Sequence, residues 1–97
     1  MRVISIKKLR VFWGKFPDSE EALKTWYAEA KVASWGNPTD IKAKYCSASI
    51  LKGNRVVFNI CGNKSRLVVR VLYPYFTVHI RFVGTHKEYD AIDAEVV

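Results

Sequence analysis

RVVFNICGNKSRLVVRVLY, Arg55 to Tyr73, sets two β-rich runs on either side of a Gly-Asn turn. Apolar and polar residues alternate in the runs, which is the period of a strand rather than a helix. Gly62 and Asn63 both tolerate positive φ, so the stretch predicts a β-hairpin: Arg55–Cys61, a turn at Gly62–Lys64, then Arg66–Tyr73. Pro74-Tyr75-Phe76 turns the chain again, into a third strand over Thr77–Val83. The expected product is an antiparallel meander, with Arg2–Ser5 available as a further edge strand.

Upstream the period changes. Ile6, Leu9, Trp13 and Phe16 recur at helical spacing, with Lys7, Lys8, Arg10 and Lys15 on the other faces. After Pro17, Asp18 or Ser19 offers an N-cap, and Ala22, Leu23, Trp26, Ala30 and Ala33 form a second apolar stripe that ends at Trp35–Pro38. Thr39–Asn54 reads as coil or a short helix. The fold class is therefore α+β: two N-terminal helices on one face of a small curved antiparallel sheet, with a short C-terminal helix, in a single domain over 1–97. Alternation turns Leu67, Val69, Val71, Val78, Ile80 and Phe82 toward the helices. It turns Arg66, Val68, Arg70, Leu72, Thr77, His79, Arg81 and Val83 to the opposite face. Cys61 is expected to face the core.

Charge is distributed one-sidedly. Net charge is +7, and from Ile41 through Lys87 there are nine basic residues and no acidic one: Lys42, Lys44, Lys52, Arg55, Lys64, Arg66, Arg70, Arg81 and Lys87. One sign of charge over half a small chain points to a polyanionic partner, nucleic acid first. The basic residues lie on strand-period segments, which argues against a helix-turn-helix reader. Cys46 and Cys61 lack metal-ligand spacing, and no carboxylate cluster suits Mg²⁺, so no metal or other cofactor is expected. No phosphate-cradling Gly-rich loop and no nucleophile elbow is present. No signal-peptide-like or membrane-spanning run is present either, and a cytoplasmic protein with reduced thiols and no membrane partner is the simplest expectation.

Val83 to Ala94, VGTHKEYDAIDA, holds the polar cluster. Thr85-His86-Lys87-Glu88 fits a capping box, which accounts for Thr85 and Glu88. A helix starting there places His86, Tyr89 and Asp90 within one turn, and its N-terminal amides suit a phosphate. These residue types fit RNA strand cleavage by the ribose 2′-OH. That reaction needs proton transfer at two oxygens and cations on the charge that develops at phosphorus. Tyr89, or Tyr73 and Tyr75, is placed to stack on a splayed base.

Phe58–Arg66, read as FN-x-x-GN-K-x-R, and Arg81–Asp90, read as RFVGTH-x-EYD, resemble the C-terminal half of the HigB-type toxins of bacterial toxin–antitoxin pairs, within the RelE/ParE superfamily. The resemblance is dense over Val56–Asp93 and extends to the first half only in layout. It implies a RelE-like fold and a ribosome-dependent mRNA endonuclease that cuts message in the ribosomal A site, near 16S rRNA. It also implies a HigA-type antitoxin with a helix-turn-helix domain, through which alone the toxin would meet operator DNA. By matching positions, His86, Arg66, Arg81 and Tyr89 are candidate catalytic residues. Lys64, Lys87, Arg70, Asn63, Lys42 and Lys44 are candidate contacts to RNA or ribosome.

Some relatives use an Asp-Tyr-His arrangement and a further histidine before the sheet; here the order is His86-Lys87-Glu88-Tyr89-Asp90, and the other histidine, His79, lies within a strand. No acid–base pair is assigned from sequence. Two other readings stand beside the mRNA interferase: a ParE-like gyrase poison on the same fold, and a non-catalytic nucleic-acid-binding module. The histidine and the GN-K-x-R turn favour the first, because a protein that only binds needs no proton carrier.

Overall fold

A computed structural model describes residues 1–62 and 64–97; Asn63, a candidate RNA contact, lies outside the described residues. The chain runs β1 (Arg2–Ile4), α1 (Lys7–Lys15), α2 (Glu20–Val32), α3 (Pro38–Lys44), β2 (Ser49–Ile50), β3 (Arg55–Ile60), β4 (Ser65–Leu72), β5 (Thr77–Thr85) and α4 (His86–Asp90). The strands form one curved sheet in the order β1-β5-β4-β3-β2. The meander is antiparallel as expected, but β1 runs parallel to β5, so the sheet is mixed.

Helix boundaries follow local chemistry. Phe16 precedes Pro17, whose ring disfavours helical backbone before it, and α1 stops at Lys15. Leu9 and Phe12 are thus the buried residues of α1, while Phe16 leaves the expected stripe and packs its ring 4.8 Å from that of Phe12. Ser19 stands at the N-cap of α2, yet its hydroxyl donates back to Phe16 O at 2.7 Å instead of capping an amide. The α2 helix ends at Val32, before the expected Trp35–Pro38 stop. Trp35 enters the core, and Asn37 caps α3, its Oδ1 accepting from the Asp40 amide at 3.1 Å with Pro38 in the first turn.

The main core lies between the helices and one sheet face. Leu9, Leu23 and Ile41 meet Val56, Phe58, Leu67, Val69, Val71, Val78 and Ile80, all buried. Phe58 is its centre, with ring centroids of Tyr45, Trp26 and Trp35 at 5.0, 5.4 and 6.3 Å. Each such aromatic pair adds about 0.5–1.5 kcal/mol beyond area burial. The Tyr45 hydroxyl donates to Glu29 Oε1 at 2.6 Å, and burial, reinforced by that carboxylate, pushes its pKa up.

The opposite face, to which alternation assigns Arg66, Arg70 and Arg81, is not an open row of cations. Val57, Val68 and Ala94 form a second buried cluster, with Leu51, Phe82, Tyr89, Ile92 and Val97 against it, so the C-terminal residues fold over the middle of the sheet. Phe82 is there because of a β-bulge: Val69 pairs with Ile80 but Val68 with Phe82, leaving Arg81 as the extra residue. One extra residue inverts side-chain parity beyond it. Phe82 therefore joins the second cluster, and Val83 packs against the main core, the reverse of strict alternation. Cys61 follows the end of β3; it is half-buried at the edge of the main core, and its thiol donates to Asp18 O at 3.5 Å.

Candidate active site

Cross-strand register builds the first part of the site. Arg55 on β3 pairs with Arg70 on β4, and Arg70 with His79 on β5, so three strands deliver one row of basic side chains. The bulge adds Arg81 to that row. Arg55 and Arg81 converge on a single acceptor, the main-chain oxygen of Val97. Arg55 Nη2 donates to it at 2.8 Å, and Arg55 Nε and Arg81 Nε each donate at 3.2 Å. Burial, then the neighbouring Arg70 and Arg81, depresses the pKa of the Arg55 guanidinium.

His79 is fixed from both sides. Its Nδ1 lies 3.2 Å from Arg81 Nη1 and its Nε2 lies 3.1 Å from Ser5 Oγ. A guanidinium has no acceptor atom, so Nδ1 accepts from Arg81 and the ring proton sits on Nε2, donated to Ser5. Burial, then Arg81, Lys8, Arg70 and Arg55, holds the pKa of His79 below the ordinary histidine value. The result is a neutral imidazole among cations.

Beyond β1 the edge of β5 faces α1. The pairing of β1 stops at Ile4 opposite His79, because Ser5 takes left-handed backbone (φ 70°) and turns the chain into α1. The gap between α1 and the rest of β5 is a groove of about 540 Å³. Lys7, Lys8, Lys15 and Arg81 give it an excess of positive charge over the single carboxylate of Glu88, and Val11, Phe12, Phe16, Phe82 and Val83 form its apolar lining.

The second part lies at the far end of the strands. Ser65 pairs with Thr85 and Arg66 with Gly84, which brings the start of β4 beside α4. The capping box forms as expected: Thr85 N donates to Glu88 Oε1 at 2.8 Å, and Glu88 N to Thr85 Oγ1 at 3.2 Å. His86 N donates to Lys64 O at 3.1 Å. The His86 and Glu88 amides are thus already engaged, and the helix start is not the open phosphate cradle expected from sequence. His86 itself is exposed, and its Nδ1 lies 3.0 Å from Asp90 Oδ2 one turn on. That contact turns Nδ1 of the ring toward the carboxylate.

Other candidate residues divide. Arg66 donates to Ser65 O at 3.2 Å and sits on the same sheet face as Arg70, about 13 Å along the strand by residue spacing. Lys64 reaches Asp18, 3.5 Å away, and Lys87 is exposed on α4. Tyr89 packs in the second apolar cluster, while Tyr75 and Phe76 are exposed at the β4–β5 turn; Tyr73 packs against the main core. Lys42 donates to Cys46 O and Ala48 O at 2.6 and 2.7 Å, and Lys44 pairs with Glu29 at 3.2 Å. Both lysines hold their own loop and helix. Sequence reading passed over Ser5, Lys8 and Arg55 as site residues and set His79 aside. Arg55 was legible in principle, since it sits at the same strand-face parity as Arg70; the placement of Ser5 beside His79 depends on parallel pairing that no local pattern encodes.

Among the described residues no three of His, Cys, Asp and Glu come together as a metal-ligand set, and no helix is long and apolar enough to cross a membrane. A family model described as HigB toxin, the RelE-like toxic component of a toxin–antitoxin system, matches residues 19–92. The mRNA interferase toxin HigB of Escherichia coli K12 is 31% identical over 96 residues, covering 97% of this chain and 92% of the relative. The mRNA interferase HigB of Shigella flexneri matches to the same extent. With its helices packed on a curved sheet and the matched motifs at its basic end, the chain belongs to the HigB family of RelE-like toxins.

Proposed function

We propose that this protein is an mRNA endonuclease toxin of a toxin–antitoxin pair, acting in the cytoplasm on message held in the ribosomal A site. The observation that carries this reading is the His86–Asp90 pair, 3.0 Å apart, at the end of a sheet face that bears Arg66, Arg70 and Arg81. His86 transfers the proton at the ribose 2′-OH or at the 5′-oxygen leaving group, with Asp90 holding its ring. Arg66 and Arg81 bind the scissile phosphate and offset the charge that develops as the 2′-oxygen bonds to phosphorus and the 5′-oxygen departs. This assignment draws the stabilising charge from side chains of the protein. Lys64, Lys87 and Arg70 hold the flanking backbone, with Asn63 assigned there by its motif position. Lys42 and Lys44 add positive potential from their structural places. Tyr89 supports the α4 end of the site from the apolar cluster and presents its edge to a base.

Family membership supports a cognate antitoxin, and the HigA type with its helix-turn-helix domain is the proposed form. The test is a purified translation system given one reporter mRNA, with and without ribosomes. Codon-spaced cuts that require ribosomes are the expected result. Intact message, together with gyrase-dependent breaks in supercoiled DNA, would instead identify a gyrase poison.

A further inference from the structure

We propose that Ser5 and His79 form a positioning pair for Arg81, fixing its guanidinium at the mouth of the groove between α1 and β5 to receive an RNA phosphate. The proposal deepens the reading above and rests on it. Three separate features meet at this point. The β-bulge singles out Arg81 as the unpaired residue of β5, and bulges beside functional sites re-aim a side chain. His79 Nδ1 accepts from Arg81 Nη1, and the proton on Nε2 is tied to Ser5 Oγ, which locks the tautomer that can accept. Ser5 holds left-handed backbone at φ 70°, a conformation that serine adopts rarely and that brings its hydroxyl to His79 as β1 gives way to α1.

An arginine side chain has many rotamers, and ordering it before the ligand arrives removes that entropy from the binding step. The contacts with His79 and Val97 leave further N–H groups of Arg81 for a phosphate, which a guanidinium engages in a two-pronged manner. Only neutral His79 performs this service, because a protonated ring would turn an N–H toward the guanidinium. Every charged group that faces it enforces neutrality: Lys8 from α1, Arg55 from β3, Arg70 from β4 and Arg81 itself. The pair acts through Arg81 and touches no reacting atom.

Ribosome-coupled cleavage rates over pH 5–8 for wild type, His79→Phe and His79→Asn provide the test, with thermal melts of each. Phenylalanine keeps the ring shape without an acceptor; the asparagine side-chain oxygen stands near the position of Nδ1. His79→Phe is expected to fold and to cut at least about tenfold more slowly, as misplacement of a charge-stabilising group does. His79→Asn is expected to recover most of the rate and to decline less steeply than wild type on the acid side, the share due to His86 remaining in both. A cutting wild type with His79→Phe equally fast, or His79→Asn as slow as His79→Phe, would overturn the proposal. A wild type that cuts nothing would instead overturn the endonuclease reading, and this inference with it.

Discussion

Arg81 Nη1 stands 3.2 Å from His79 Nδ1, so a histidine within the sheet accepts a hydrogen bond from a cation. The same ring is bonded at its other nitrogen to Ser5, and its pKa is lowered by burial first and by Arg81, Lys8, Arg70 and Arg55 after it.

That shift gives stability a pH dependence whose sign is fixed. Below about pH 6.5 the unfolded chain protonates His79 while the folded chain resists, so the unfolded state binds more protons. The stability contributed by neutral His79 is complete above that pH and is lost as pH falls toward the lowered folded value. Urea titrations between pH 7.5 and 5 should show a shallower decline for His79→Asn than for wild type; equal slopes would contradict the burial of a neutral ring.

His86 and Asp90 predict a graded pair of activity losses. Removing a proton-transfer group costs roughly 10²–10⁴-fold, so His86→Ala should fall in that range. Asp90→Asn, which loses only the orienting carboxylate, should lose less. Single-turnover cleavage of ribosome-bound message measures both, and an unaffected His86→Ala would remove His86 from the mechanism.

Gly84 is a packing prediction. A Cβ there would stand 2.5 Å from Phe82 Cζ and 2.9 Å from Cε2, and the ring is seated in the second apolar cluster. Gly84→Ala should therefore destabilise by about 1–3 kcal/mol, as other overpacking changes do. A thermal melt lowered by several degrees is the expected reading, and an unchanged melt would place the ring elsewhere.

Thr85→Ala removes the acceptor of the capping box that starts α4. The expected cost is about 1 kcal/mol, felt locally as faster amide exchange at Glu88, whose N–H loses its partner. Protection unchanged at Glu88 would count against the cap.

The hairpin, the third strand, both long helices and the capping box were legible because each rests on local chemistry: period, turn residues and T-x-x-E. The bulge at Arg81 was not, since RFV continues a strand pattern and gives no sign of the extra residue that exchanges Phe82 with Val83. The covering of the cationic face was hidden for the same reason. Ile92, Ala94 and Val97 show no period, and their packing on Val57 and Val68 is a long-range event. In the candidate site, Arg66, Arg81 and His86 could be named from their motifs. Ser5, Lys8 and Arg55 join Arg81 only through the folding of β1, α1 and β3 around β5, which spacing along one chain segment does not reveal.

The most direct measurement is primer-extension mapping of one reporter mRNA in a purified translation system, comparing wild type with Arg66→Ala and Arg81→Ala. The account predicts cuts at codons that depend on ribosomes, each weakened by roughly 10²-fold or more when one charge-stabilising donor is removed. Uncut message with the wild-type protein, or cuts in both variants as strong as in wild type, would contradict it.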